Sequence, residues 1–356
     1  MHKSLTRRAW LAGASVAARA ADSLRLPGKV RLALIGLEGH TGEVLGPLPR
    51  LPDVELVAIS DPDPQAVARL SRRPIAARAR QYTDYRALLD REQLDMVAIC
   101  GTNGARAPAI LAAVERKLHI VAEKPLAIDK GDLDRIRKAV AREAVRLTML
   151  LPMRFGSTFL AMKQIVDSGE IGEVAQMGAQ KSYKLGDRPE WMRRKQTFGG
   201  TIPYIGVHMV DLMRFTSGRE MVEAVAFQAR IGHPQLGDME NSTATLFRLD
   251  NGGAAALRMD YLRPETAPSH GDDRLRLAGT RGVLEFQPAT GLTLVTQKEK
   301  PRVITELPPA RSLFIDFLEA VYLGRPAGLE LADIYRVNEI VLAARASAER
   351  REIVRL

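Results

Sequence analysis

The stretch "KVRLALIGLEGHTGEVL", residues 29–45, decides how the first half of the chain is read. A β-favouring apolar run ends at Gly36, and Gly39 and Gly42 follow at intervals of three. Glycines placed straight after a strand let the backbone turn tightly and approach a pyrophosphate. The phosphate charge then meets the free N–H groups of the next helix. The usual spacing is GxGxxG; this chain reads GxxGxxG and carries Glu38 inside the loop. A tight structural turn accounts for the glycines equally well, so the neighbouring segments decide.

Those neighbours alternate. "VELVAIS" is a strand stopped by Asp61-Pro62, and "PQAVARLSRR" has helical spacing. "DMVAIC" reads as a buried strand, "APAILAAVERK" as a helix with Pro108 near its first turn, and "HIVAE" as another strand. "DKGDLDRIRKAVARE" is a helix opening on acidic residues, and "VRLTMLL" is a strand. Pro47 and Pro49 make the helix after the glycines short or broken. Strand–helix alternation in this order predicts parallel strands joined by crossovers, a doubly wound sheet over residues 29–150. After Pro152 the period changes to two. "TATLFRLD" and "AAALRMDYL" flank "DNGG", a strong hairpin signal, and the last segments are helical. An α+β domain with an open-faced, largely antiparallel sheet is therefore expected over 151–356.

Asp61 ends the second strand, 25 residues after Gly36, close to the ~20 expected for an acid holding a ribose diol. An acid there repels a 2′-phosphate and favours NAD; Arg69, Arg72 and Arg73 leave NADP open. A turn-forming aspartate before proline explains it equally well. "CGTNGARAP" supplies a second loop of small residues, with Thr102 and Asn103 at a strand's carboxyl end. "HIVAEKPLAI", residues 119–128, carries Glu123 and Lys124 to the end of an apolar strand. A lysine there points into the crevice where doubly wound sheets bind ligands. Burial would lower its pKa toward neutrality and let it deprotonate a hydroxyl. A Lys-Pro bond can also be cis at low cost. In "FGGTIPYIGVHMVDLMRF", Tyr204, His208 and Asp211 share a helix face, and the glycine pair before them implies close packing.

Composition narrows the function classes. Of a net charge of +10, four positives (Lys3, Arg7, Arg8, Arg19) lie in the first twenty residues. The rest is spread along the chain, which favours anionic small ligands and argues against nucleic acid. One cysteine, Cys100, excludes an internal disulfide, and six scattered histidines lack metal spacing. No metal is expected. "LTRRAWLAGASVAARA" orders twin arginines, a short apolar stretch and Ala18-Arg19-Ala20. It reads as an export leader over 1–28, which places the protein in the periplasm, or in the cytoplasm where the leader does not act. No segment is apolar enough to be a permanent membrane span.

Together these residues resemble the glucose–fructose oxidoreductase/inositol dehydrogenase/rhizopine catabolism (Gfo/Idh/MocA) family from about residue 29 to the C-terminus. The Glu123-Lys124-Pro125 triplet and the downstream "GG…GVHMVDLMRFTSG" block carry the resemblance, with "SGEIGEV" and "LRLAGTRGVLEF" in family order. It implies a Rossmann domain, an open-faced sheet domain that often forms dimers or tetramers, and nicotinamide-dependent chemistry on sugars or polyols. Lys124 and His208 match the family's catalytic lysine and histidine. Gly36, Asp61, Asn103 and Glu123 match cofactor-side positions. Tyr204 stands where the family usually has aspartate, and Arg106 where it often has histidine. The cofactor side is expected to comprise Gly36, Leu37, Gly39, His40, Thr41, Gly42, Asp61, Thr102, Asn103, Glu123 and Lys124. The substrate side is expected to comprise Lys124, Arg154, Trp191, Tyr204 and His208. Export adds an expectation of a tightly held, internally recycled cofactor. The rival reading is a sugar- or nucleotide-binding sensor of the same fold. Tyr204 and the irregular glycine loop favour it, and the retained Lys124 and His208 oppose it.

Overall fold

The computed structural model describes residues 23–356; the twin arginines and the cleavage pattern lie outside them. The first half runs β1 (Val30–Ile35), α1 (Thr41–Leu45), β2 (Val54–Ser60), α2 (Pro64–Ser71), β3 (Arg80–Tyr82), α3 (Tyr85–Arg91) and β4 (Met96–Ile99). It continues through α4 (Asn103–Glu115), β5 (His119–Ala122), α5 (Lys130–Glu143) and β6 (Leu147–Met149). All six strands are parallel, in the order β3-β2-β1-β4-β5-β6. Central strands such as β4 are buried at every residue, as a sheet covered on both faces requires. This is the doubly wound sheet that the alternating pattern predicts.

One local reading needs amending. Pro108 lies inside α4, because the helix opens at Asn103 rather than at the apolar run. The edge strand β3 has only three residues, too few to show a period. The helix after the glycine loop is broken as expected: α1 has five residues, and a 3₁₀ turn over Leu48–Arg50 follows.

The second half comprises α6 (Ser157–Asp167), β7 (Val174–Lys184), α7 (Lys195–Phe198), α8 (Thr201–Ser217), β8 (Met221–Ala229), β9 (Ser242–Leu249) and β10 (Ala254–Arg263). It then runs β11 (Gly271–Gly279), β12 (Gly282–Gln287), β13 (Gly291–Thr296), β14 (Arg302–Val303), α9 (Leu313–Tyr322), α10 (Leu331–Arg350) and β15 (Val354–Arg355). Nine strands form one sheet ordered β14-β13-β12-β11-β7-β10-β9-β8-β15. Only the β7–β10 pair is parallel. The hairpin expected around "DNGG" joins β9 to β10. One face is covered: Met177, Ala179, Leu257, Met259, Leu275 and Leu277 are buried there. The other face is open, with Phe227 and Leu246 exposed. Among the described residues no helix is long and apolar enough to cross a membrane.

α8 ties the two sheets together. Gly199 has φ +81°, and a Cβ on it would lie 2.5 Å from Ile128 Cγ2, so this loop is pressed onto the segment after Pro125. Arg345 on α10 donates to the carbonyls of both Ile128 and Gly199, at 2.7 and 2.6 Å. Asn338, also on α10, accepts from the Leu126 N–H at 2.9 Å. The end of β5 and the start of α8 are therefore held in fixed register, and the site is built between them.

Candidate active site

The strand order reverses between β1 and β4, so the ligand crevice opens at their carboxyl ends. Gly36 has φ +79°, and a Cβ on it would sit 2.2 Å from the Gly101 nitrogen. The loops after β1 and β4 thus touch backbone to backbone, which only glycine allows. A Cβ on Gly39 would meet Glu123 Oε1 at 2.8 Å, while one on Gly42 would meet nothing within 4 Å. Asp61 lies at the end of β2. Its Oδ2 accepts from the Leu37 N–H at 2.8 Å and its Oδ1 from the Asp63 N–H at 2.9 Å. Both readings of Asp61 therefore meet in one carboxylate. It fixes the glycine loop, and each oxygen keeps a second lone pair for a hydroxyl. Thr41 opens α1, and Thr102 stands before α4 without a side-chain cap. Bare glycine backbone at the switch point, open space over Gly42 and a carboxylate at the end of β2 fit a dinucleotide. The carboxylate favours NAD over a 2′-phosphorylated cofactor.

Asn103 and His40 also carry structural contacts that the sequence did not announce. Asn103 is buried; its Nδ2 donates to the Phe198 carbonyl at 2.7 Å and its Oδ1 accepts from Arg106. Its amide therefore clamps α4 to the loop before α8, with one N–H and one lone pair left over. His40 Nδ1 bonds both Glu123 carboxylate oxygens, at 2.9 and 3.0 Å. The glycine loop is thus tied to the Glu-Lys-Pro segment through a side chain. Arg106, fully buried, donates to the carbonyls of Pro125 and Gly101 and clasps the loops after β4 and β5.

Lys124 stands at the end of β5, 3% exposed. The Lys124–Pro125 bond is cis. Its Nζ donates to the Tyr204 carbonyl at 2.9 Å, lies 3.6 Å from the Tyr204 ring centroid and is 3.8 Å from Glu123 Oε1. Burial drives its pKa down; Glu123 opposes the drop, and Arg106 and Lys181 add to it, leaving it at about 7. Burial pushes the Glu123 carboxyl up, but His40, Lys124 and Arg106 more than offset this and hold it below the usual range. His208, one turn after Tyr204, packs its ring edge-on to His40 with centroids 5.4 Å apart. Burial, with the charges of Lys124 and Lys181, keeps His208 neutral at physiological pH, and its buried Nδ1 has no partner among the described residues. Burial lifts the Tyr204 phenol to about 12, so it can donate a hydrogen bond but not act as a base. The structure thus gathers Lys124, Tyr204, His208 and Glu123 at one point.

Arg154 and Asp211 do not join them. Arg154 is 3% exposed and holds Asp211 in a two-pronged pair, with a further contact to Asp333. Its donors are spent on a buried ion pair between the start of α6, α8 and α10. It therefore does not serve as a substrate contact, and Asp211 supports Arg154 instead of His208. Trp191 is near the site: its ring packs edge-on to Tyr204 and Phe198, each at 6.0 Å.

Sequence reading missed the wall supplied by the second sheet. Register sets Lys181 on β7 beside Met259 on β10 and Asp273 on β11. Lys181 Nζ donates to Asp273 Oδ2 at 2.6 Å, and the lysine is 2% exposed. Tyr183, two residues on, stacks on His270 at 5.0 Å and lies 6.1 Å from Tyr261. The available signal was a lysine on the apolar face of a strand: Met177, Ala179 and Lys181 alternate with less buried neighbours. Among the described residues there is no cluster of three or more His, Cys, Asp or Glu placed to hold a metal.

Known proteins are similar to this chain in sequence and fold. Residues 30–150 match the oxidoreductase family with an NAD-binding Rossmann fold, and residues 159–285 match the Gfo/Idh/MocA C-terminal domain. The uncharacterized oxidoreductase YrbE of Bacillus subtilis is 30% identical over 240 residues, 65% of this chain and 66% of YrbE. Inositol 2-dehydrogenase of Salmonella typhimurium is 29% identical over 164 residues, 46% of each chain. The aligned part thus spans just under two thirds of the one relative and about half of the other. An oxidoreductase structure from Thermotoga maritima superposes with a TM-score of 0.85 at 30% identity, covering 92% of this chain and 100% of the other. The chain belongs to the Gfo/Idh/MocA family of NAD-binding oxidoreductases.

Proposed function

We propose that the protein oxidises a hydroxyl-bearing carbon of a sugar, cyclitol or related polyol, with Lys124 as the group that takes the hydroxyl proton. The observation that carries this reading is the Lys124 amine. It is buried at the mouth of the parallel sheet, brought to about pH 7, and held beside a neutral imidazole from the other half of the chain. A base poised near the working pH combines a large free-amine fraction with useful proton affinity. Bound NAD supplies the hydride acceptor. The alcohol O–H proton passes to the Lys124 nitrogen as the carbon loses its hydrogen with the electron pair and a carbonyl forms. His208 orients the hydroxyl, and Tyr204 fixes Nζ through its carbonyl and ring. Glu123, tied to His40, limits the fall in the lysine pKa.

Three finer readings accompany it. The division at residue 150/151 assigns the nicotinamide to the first domain and substrate and self-association to the second. Phe227 and Leu246 on the open sheet face, 68% and 56% exposed, support a dimer or tetramer. The ordered leader motif supports twin-arginine export to the periplasm. A compartment without a free nicotinamide pool favours a cofactor that stays bound and is recycled within one turnover.

The test is a polyol and aldose panel followed by nicotinamide absorbance and by mass detection of epimerised or cleaved products, with NAD measured in dialysed protein. Lys124→Met is expected to keep NAD and lose about 10³-fold in turnover, the middle of the range for general-base loss. Unchanged turnover in Lys124→Met would overturn the reading, and ligand binding without turnover of any substrate would favour a sensor.

A further inference from the structure

We propose that the chamber under the second sheet takes a carbohydrate bearing a carboxylate, of the uronate or aldonate type, with Lys181 and Arg188 facing the acid group. The inference rests on the oxidoreductase reading and narrows its substrate.

The chamber wall is rich in donors and cations. Lys181 is buried and Asp273 keeps it charged. Arg188, on the loop after β7, stacks its guanidinium over the Tyr261 ring at 4.4 Å. Tyr183 lies between the two cations, 5.2 Å from Lys181 Nζ and 6.1 Å from Tyr261. Trp191 and Tyr204 close the side toward Lys124, which stands 3.6 Å over the Tyr204 ring.

Among the described residues four buried polar atoms near the site have no partner: Trp191 Nε1 and Arg188 Nε, which can only donate, and Tyr261 Oη and His208 Nδ1, which can donate or accept. Tyr261 is 1% exposed and His208 4%, so bulk water does not satisfy them. A buried donor left unpaired costs about 1–3 kcal/mol, and two obligate donors, one of them on a cationic guanidinium, point to a ligand that accepts. Among the described residues the obligate acceptor left unpaired beside Lys181 is Asp273 Oδ1, and the other oxygen of that carboxylate is held by Lys181. Each hydroxyl of a neutral polyol brings a proton as well as lone pairs and needs acceptors in return. A carboxylate brings only lone pairs, and charge-assisted bonds to ammonium and guanidinium groups are the strong kind. Asp273 cancels one of the two fixed charges and leaves Arg188 for the ligand.

The test is calorimetric titration of the NADH-loaded full chain, which has no hydride acceptor, with D-glucuronate and D-galacturonate against D-glucose and D-galactose. Binding is read without turnover, so it is judged apart from the oxidoreductase reading, which the turnover panel judges. The acids are expected to bind at least tenfold tighter than their neutral counterparts. Lys181→Met and Arg188→Met are each expected to remove most of that preference while neutral-sugar binding changes little. Arg188 lies on a partly exposed loop, so Arg188→Met keeps the test valid where Lys181→Met does not fold. Acids that bind no tighter than neutral sugars, or a preference that survives Arg188→Met in folded protein, would overturn the inference.

Discussion

Two buried lysines stand close enough for one charge to act on the other, Lys124 at the end of the parallel sheet and Lys181 on the mixed sheet. Their exposures are nearly equal, 3% and 2%. Their protonation goes in opposite directions. Burial lowers both, but Lys124 falls to about 7 while Lys181 ends above the ordinary lysine value, raised by Tyr183 and Asp273. The difference lies in the partners. Asp273 stands 2.6 Å from Lys181, within hydrogen-bond reach, whereas Glu123 stands 3.8 Å from Lys124 and is engaged by His40. Lys124 bonds a neutral carbonyl instead. Burial alone therefore does not make a base; burial with the carboxylate held just out of reach does. One lysine is left to exchange a proton, and the other is fixed as a charge.

The largest break in this comparison is Lys124→Met, expected to remove about 10³-fold of turnover while NAD stays bound. Lys181→Met should instead retain chemistry and change which sugars bind. The next effect is on stability. Asp273→Asn leaves Lys181 buried without its carboxylate. Because Asp273 is 22% exposed, the cost should fall below the full buried-pair penalty, at about 2–3 kcal/mol by urea denaturation. A cost near zero would show that Lys181 reaches water. The smallest effects are shifts in pH dependence. The free amine of Lys124 is the active form, so kcat/KM should rise with pH through about 7 and then level. Glu123 raises that pKa, so Glu123→Gln should move the rise to lower pH. The Lys181 charge lowers it, so Lys181→Met should move the rise to higher pH. Shifts in the reverse sense would break the electrostatic account.

The parallel half of the molecule was legible because its signals are local. β1, β2, β4 and β5 end where a glycine, an Asp-Pro or the Glu-Lys-Pro triplet says they end. Lys124 and His208 could be singled out because one closes a strand and the other follows a glycine pair. The wall opposite was not legible. Lys181, Tyr261 and Asp273 come from strands spread over more than ninety residues, and only the pairing of β7 with β10 and β11 brings them together. Arg154 illustrates the opposite error. An arginine just past the domain boundary looks available, yet a buried cation must find a carboxylate, and Asp211 takes it. His40 and Asn103 lie where a cofactor loop was expected. They also hold that loop, because packed turns need their own hydrogen bonds satisfied.

The central claim is the protonation of one amine. Its most direct measurement is a pH titration of the ¹⁵N-labelled lysine side chains by NMR in the full chain, with Lys124→Met and Lys181→Met assigning the two signals. The account predicts a Lys124 midpoint near 7 and a Lys181 signal still protonated above pH 10. A Lys124 that titrates with the surface lysines would contradict it.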